Sequence, residues 1–106
     1  MKYVIAFVTT GSIEEAKQIA QALVERKLAA SVNIIPEVIS YYWWEGKIES
    51  DQEAKLVIKT KSGLMEELTK AVKELHSYEV CEVTFVPIVE ANPDYLKWID
   101  DVVKVD

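Results

Sequence analysis

The chain has 106 residues, half of them hydrophobic and 28% charged, which suits one domain over 1–106 and leaves too little length for a second core. Twelve Lys and Arg against eighteen Asp and Glu give a net charge of −6, a field that repels phosphate backbones and anionic lipid, so no nucleic-acid and no membrane partner is expected. One Cys and one His exclude an intrachain disulfide and a Cys/His zinc site within one chain, and point to a reducing, cytoplasmic setting.

Lys2–Thr9 is a continuous apolar run, too short for a membrane span or a leader's apolar core, and reads as a central strand buried on both faces. After Thr10-Gly11, Ser12-Ile13-Glu14-Glu15 has capping-box form and opens a helix. Its stripe is Ile13, Ala16, Ala20 and Leu23, widened by Ile19 and Val24, and it ends near Lys27. Ala30–Ile35 and Val38–Trp44 read as strand, with a bulge or break at Pro36, which cannot donate to a ladder. Glu45-Gly46 is a tight turn, and Lys47–Lys59 returns as a strand. Ser62-Gly63 opens a second helix with the stripe Leu64, Leu68, Val72 and Leu75. Tyr78–Glu82 is a connection, and Val83–Val89 a last strand that Pro87 confines to an edge or a bulge. Asn92-Pro93 has the form of a helix start, with Tyr95, Trp98, Ile99 and Val102 as the packing face of a short terminal helix.

The order β-α-β-β-α-β predicts an α+β, ferredoxin-like sandwich, with helices on one face of a mostly antiparallel sheet. The hairpin Val38–Lys59 is long for so small a core. Tyr41, Tyr42, Trp43 and Trp44 are consecutive, so they alternate between the two faces of their strand. One helical layer covers one face only, so association with further copies is expected to cover the rest, unless the helix bearing Trp98 folds over it.

The three glycines, Gly11, Gly46 and Gly63, form no phosphate-binding loop. The segment His76-Ser77-Tyr78-Glu79-Val80-Cys81-Glu82 gathers the only imidazole and the only thiol with carboxylates. As a Cys/His nucleophile pair its spacing is poor, nothing in the chain names a substrate, and a non-enzymatic protein is expected. As a metal site it suits copper or zinc but is short of ligands, a deficit that symmetry repairs where copies meet. The structural alternative makes Cys81 a small buried hydrophobe and His76 a helix C-terminal residue. Glu45, Glu49, Asp51 and Glu53 read as a solvated strand face, and Glu14-Glu15 as a helix cap.

Val32-Asn33-Ile34-Ile35-Pro36, Tyr42-x-Trp44-x-Gly46-x-Ile48, Ile58-Lys59-Thr60, His76-x-Tyr78, Pro87-Ile88 and Tyr95-Leu96-x-Trp98 occur in that order over essentially the whole chain. Together they resemble the CutA divalent-cation-tolerance family. The resemblance implies a ferredoxin-like subunit in a tight homotrimer, binding of copper or another divalent cation, and a role in heavy-metal tolerance. The family segment His-Pro-Tyr-x-x-Pro-Glu falls on His76, Ser77, Tyr78, Cys81 and Glu82, so two prolines are replaced. The resemblance implies His76 and Glu82 as metal ligands, with Cys81 as a soft donor added by this chain. Many members carry Cys where this chain has Ser31, so no metal role attaches there. The alternative is a PII-like trimeric module that binds a small ligand or partner protein in clefts between subunits; it rests on fold analogy alone.

Overall fold

The computed structural model describes residues 2–104. It contains β1 (Tyr3–Thr10), α1 (Ile13–Glu25), β2 (Ser31–Trp44), β3 (Lys47–Lys61), a 3-10 turn (Ser62–Leu64), α2 (Met65–Leu75), β4 (Thr84–Pro87) and α3 (Pro93–Val102). The sheet order is β2-β3-β1-β4 and each pairing is antiparallel. This is the expected α+β sandwich of βαββαβ order. The last strand is shorter than the predicted Val83–Val89, and the second helix is entered through a 3-10 turn rather than directly at Ser62-Gly63.

One core lies between the sheet and the helices. Ala6, Val8, Leu56 and Ile58 of the sheet meet Ala16, Ile19, Leu23, Leu68, Ala71 and Val72 of α1 and α2, joined by Ile99 of α3. Burial therefore alternates along β1, with Val4, Ala6, Val8 and Thr10 buried and Tyr3, Ile5, Phe7 and Thr9 only half-buried. The expectation of a strand buried on both faces is corrected: both long helices pack on one side, so within the chain the strand has one covered face. Cross-strand register carries the other face across the sheet. Ile5 opposes Val86 and Lys59, Phe7 opposes Val57, and Val57 opposes Asn33. That face holds Ile5, Phe7, Val57, Ile35 and Val86, with Lys55 beside the Phe7 ring at 5.1 Å.

Local chemistry ends each element. The Ser12 hydroxyl accepts the Glu15 N–H at 3.1 Å, one half of the capping box. After Arg26, Lys27 turns left-handed (φ 59°), and Leu28 N–H and Lys27 N–H return to the carbonyls of Leu23 and Val24, the Schellman closure. Val24 is exposed and does not widen the buried stripe. At α3 the Asn92 side chain makes no cap to the backbone; it donates to Asp94, and Asp94 takes the Tyr95 N–H. Ile99 is buried while Trp98 is exposed, so Trp98 is not part of the packing face. Asp100 fixes α3 to the sheet. Tyr3 donates to it at 2.8 Å, and Lys2 and Lys61 lie 3.5 and 3.4 Å away. The Tyr3 hydrogen bond, aided by the two lysines against the pull of burial, holds its carboxyl below the usual range.

The hairpin extends beyond the rest of the sheet. Glu45 and Gly46 both have positive φ (49° and 77°), the two-residue turn whose twist suits a hairpin. Thr10 of β1 opposes Ala54, so Val38–Trp44 and Lys47–Glu53 run past the end of β1 as a two-stranded arm. At Pro36 the predicted bulge appears: Ile35 opposes Lys55, whereas Val38 opposes Glu53. One extra residue in β2 exchanges its two faces. Before the bulge Asn33 and Ile35 share a face with Val57 and Lys55; beyond it Tyr42 and Trp44 share that side with Glu49 and Lys47. Tyr41 and Trp43 on the opposite side are 74% and 72% exposed, against 39% for both Tyr42 and Trp44.

Candidate functional site

The segment after α2 crosses the end of β1 and passes under the arm, and its conformation is set by hydrogen bonds to distant elements. His76 ends α2, its N–H bonded to the Val72 carbonyl at 2.9 Å, and then turns extended. Its side chain is fully buried. Nε2 lies 2.6 Å from the Thr9 carbonyl, and Nδ1 accepts the Tyr78 N–H at 3.0 Å. A carbonyl requires a donor and an N–H requires an acceptor, so the ring is the Nε2–H tautomer. Glu15 takes the Ser77 N–H at 2.6 Å and the Ser77 hydroxyl at 3.0 Å, and its Oε2 is 3.7 Å from Nδ1. The second half of the capping box thus serves a residue 62 positions away instead of Ser12.

Tyr78 comes next. Its ring stacks at a tilt on His76, with centroids 4.7 Å apart, and its hydroxyl donates to Glu53 at 2.7 Å. A β-carbon at position 11 would sit 3.1 Å from that hydroxyl, so Gly11 is the residue that lets Tyr78 lie there. Glu53 is buried, which corrects its reading as part of a solvated face; its neighbour Asp51 accepts from Tyr42. Farther along, Cys81 is a half-buried free thiol packed against the core, and Glu82 is exposed and accepts from Thr84 at 2.8 Å.

The three predicted ligands therefore lie on one segment but play different parts. Both imidazole nitrogens are engaged, while Cys81 and Glu82 stand at the surface of a cleft. Among the described residues no group of three or more His, Cys, Asp or Glu is placed to hold a metal ion. The described residues of one chain, so arranged, do not complete a metal site. Sequence reasoning placed Tyr78 in the segment but missed its bond to Glu53, and missed Glu15, Gly11, Tyr42 and Glu53 as parts of this region. Only the capping-box spacing pointed at Glu15, and it pointed to the wrong partner.

Both phenols titrate late. The Asp51 hydrogen bond, with burial and the nearby carboxylates, pushes Tyr42 up to about 12; burial, then the Glu53 bond, pushes Tyr78 up as well. A raised folded pKa makes each phenol stabilising in full below the unfolded value near ~10, and that contribution is lost as pH rises through the folded value. An ultraviolet titration is expected to show a late-ionising class among the five tyrosines, removed in Tyr42→Phe and Tyr78→Phe. Ionisation of all five together near pH ~10 would contradict this.

The family described as CutA1 divalent ion tolerance protein matches residues 4–102. The protein named CutA homolog of Xenopus laevis is 53% identical over 98 residues, 92% of this chain and 65% of that protein. Protein CutA of Mus musculus is 50% identical over 97 residues, and the chain spans 55% of its length. The divalent-cation tolerance protein CutA of Archaeoglobus fulgidus is 43% identical over 98 residues, 92% of this chain and 95% of that one. Among solved structures, CutA1 from Oryza sativa superposes with a TM-score of 0.97 at 40% identity, covering 100% of this chain and 97% of its own. The divalent cation tolerance protein from Thermus thermophilus gives 0.94 at 41% identity, covering 96% and 99%.

Proposed function

The chain belongs to the CutA1 divalent ion tolerance family, and on that premise we propose that it works as a homotrimer in heavy-metal tolerance, binding copper or a like divalent cation where subunits meet. The observation that carries this reading is the divided donor set. Cys81 and Glu82 face the cleft, yet one chain, among its described residues, assembles no group of three ligands. Thiolate with carboxylate suits copper, and a three-fold axis repeats each donor three times. The apolar face of Ile5, Phe7 and Val57, with the exposed Tyr41 and Trp43, supplies surface for such an assembly. His76 keeps the segment in place, and ligation through its ring would require one of its two hydrogen bonds to open. A reducing, cytoplasmic setting would keep the lone thiol free. The relatives are CutA proteins, so the PII-like alternative gains no support from them.

Copper titration together with light scattering tests this. The expected mass is about 36 kDa, three times 12.1 kDa, and Cys81→Ser with Glu82→Gln is expected to weaken copper at least about tenfold without changing that mass. A chain that binds copper equally well as a monomer, or a double variant with unaltered affinity, would overturn the reading.

A further inference from the structure

Beyond the bulge in β2, Tyr42 and Trp44 face away from the exposed side of the arm and toward the 78–82 segment, and between them lies a cleft of about 710 Å³. That volume falls in the range of small-molecule sites, about 300–1,000 Å³. Its lining has an unusual chemistry. Tyr42, Trp44 and Tyr78 supply aromatic surface, and Val38 and Val80 supply aliphatic surface. Glu53, Glu79 and Glu82 supply carboxylates against one basic residue, Lys55. Lys55 leans on the Phe7 ring, where its charge has another π-face.

Glu53 is the notable member, at 8% exposure. Its Oε2 takes the Tyr78 hydroxyl, and a carboxylate offers about four acceptor positions, so most of its capacity is unused. Tyr42 likewise gives its hydroxyl proton to Asp51. A phenol that donates to a carboxylate gains electron density in its ring, which favours a cation over its face. Both tyrosines therefore present π-faces while their polar ends stay satisfied. A spherical hydrated metal ion has no use for these rings or for the valines. A cation carrying hydrocarbon uses all of them.

We infer that the cleft between the arm and the 78–82 segment is a binding site for a small organic cation, a primary alkylammonium ion whose N–H groups meet Glu53 and whose chain lies between Tyr42, Trp44 and Val80. The site goes beyond the metal reading and shares with it Cys81 and Glu82, which line the same cleft. The net charge of −6 steers such a ligand inward.

Trp44 faces the cleft and Trp43, with its ring on the other side of the arm, borders it, so tryptophan fluorescence reports on the cleft in the intact protein. Butylammonium chloride is the probe, with butanol as neutral isostere and magnesium chloride as a cation without hydrocarbon. Saturable quenching by butylammonium alone is expected. Glu53→Gln, which keeps shape and can still accept from Tyr78, is expected to weaken it at least tenfold, and Trp44→Leu several-fold. Equal response to butanol would mean a merely apolar groove, and equal response to magnesium a site that reads charge only; either overturns the inference. So does unchanged binding in Glu53→Gln. Butylammonium binding is expected to be the same with and without EDTA, and copper binding is read separately in Glu53→Gln and expected to be kept, so failure of the metal reading and failure of the amine site are told apart. Oligomer mass and circular dichroism of each variant confirm that the fold is kept.

Discussion

Replacement of His76 by alanine is expected to destabilise the fold by about 3–5 kcal/mol, enough to threaten a domain whose whole margin is about 5–15 kcal/mol. Three losses add up. The part-buried Thr9 carbonyl loses its partner, at about 1–3 kcal/mol if left unsatisfied, and the Tyr78 N–H loses one at an exposed position, where water offsets part of the loss. The ring also leaves a void in a place where it was fully buried and stacked on Tyr78. His76→Gln can return one donor to Thr9 but cannot accept from Tyr78 at the same time, so it is expected to fall between wild type and alanine. Urea unfolding of the three proteins measures the series. A loss below ~1 kcal/mol in the alanine variant would show that the segment is held by something else. The same experiment bears on the metal reading. A ligand freed from its ion leaves stability without metal unchanged, whereas a structural imidazole does not.

The second large effect concerns assembly. Phe7→Lys is expected to convert the proposed trimer of about 36 kDa, three times 12.1 kDa, into a species near 12.1 kDa in sedimentation or light scattering, while leaving the subunit folded. Phe7 points away from the helices, half-buried in the isolated chain, and its cross-strand partner Val57 does the same. An ammonium placed beside Lys55 on that face brings two like charges into a surface that association would dry, and desolvating an unpaired charge costs several kcal/mol. The proposed three-fold symmetry would repeat the cost in every copy. Phe7→Leu keeps the surface apolar and is expected to keep the mass. A Phe7→Lys protein still at the trimer mass would place the contact surface elsewhere.

The fold was largely legible because each element carries a local signal. Short runs of apolar, β-branched and aromatic residues marked the strands, Pro36 marked the bulge, and Glu45-Gly46 marked the turn that positive φ confirms. What local signals cannot give is coverage. β1 reads as buried on both sides because its residues are apolar throughout, yet the chain has helices for one side only. The candidate site was legible to the extent of its segment, through the resemblance around His76, Cys81 and Glu82. Its interior was not. Glu15 reaches Ser77, and Tyr78 reaches Glu53, across 62 and 25 positions. A carboxylate on a strand reads as solvent-facing until a distant phenol is seen to lie over it. Trp98 erred in the other direction: helical spacing put it on a buried face, and the structure leaves it exposed.

The bulge at Pro36 and Glu37 divides β2 between two masters. Ahead of it, Ser31–Ile35 take their faces from the body of the sheet; beyond it, Val38–Trp44 take theirs from the turn at Glu45-Gly46, which sets Trp44 opposite Lys47 and Tyr42 opposite Glu49. Removing one residue at the bulge would leave all these pairs in place and Tyr42 and Trp44 on their present side, whereas setting the four rings one place farther from the turn would exchange them with Tyr41 and Trp43. Aromatic content alone therefore does not define this surface: two chains with the same four rings and a one-residue difference in their distance from the turn would show opposite walls to whatever approaches them.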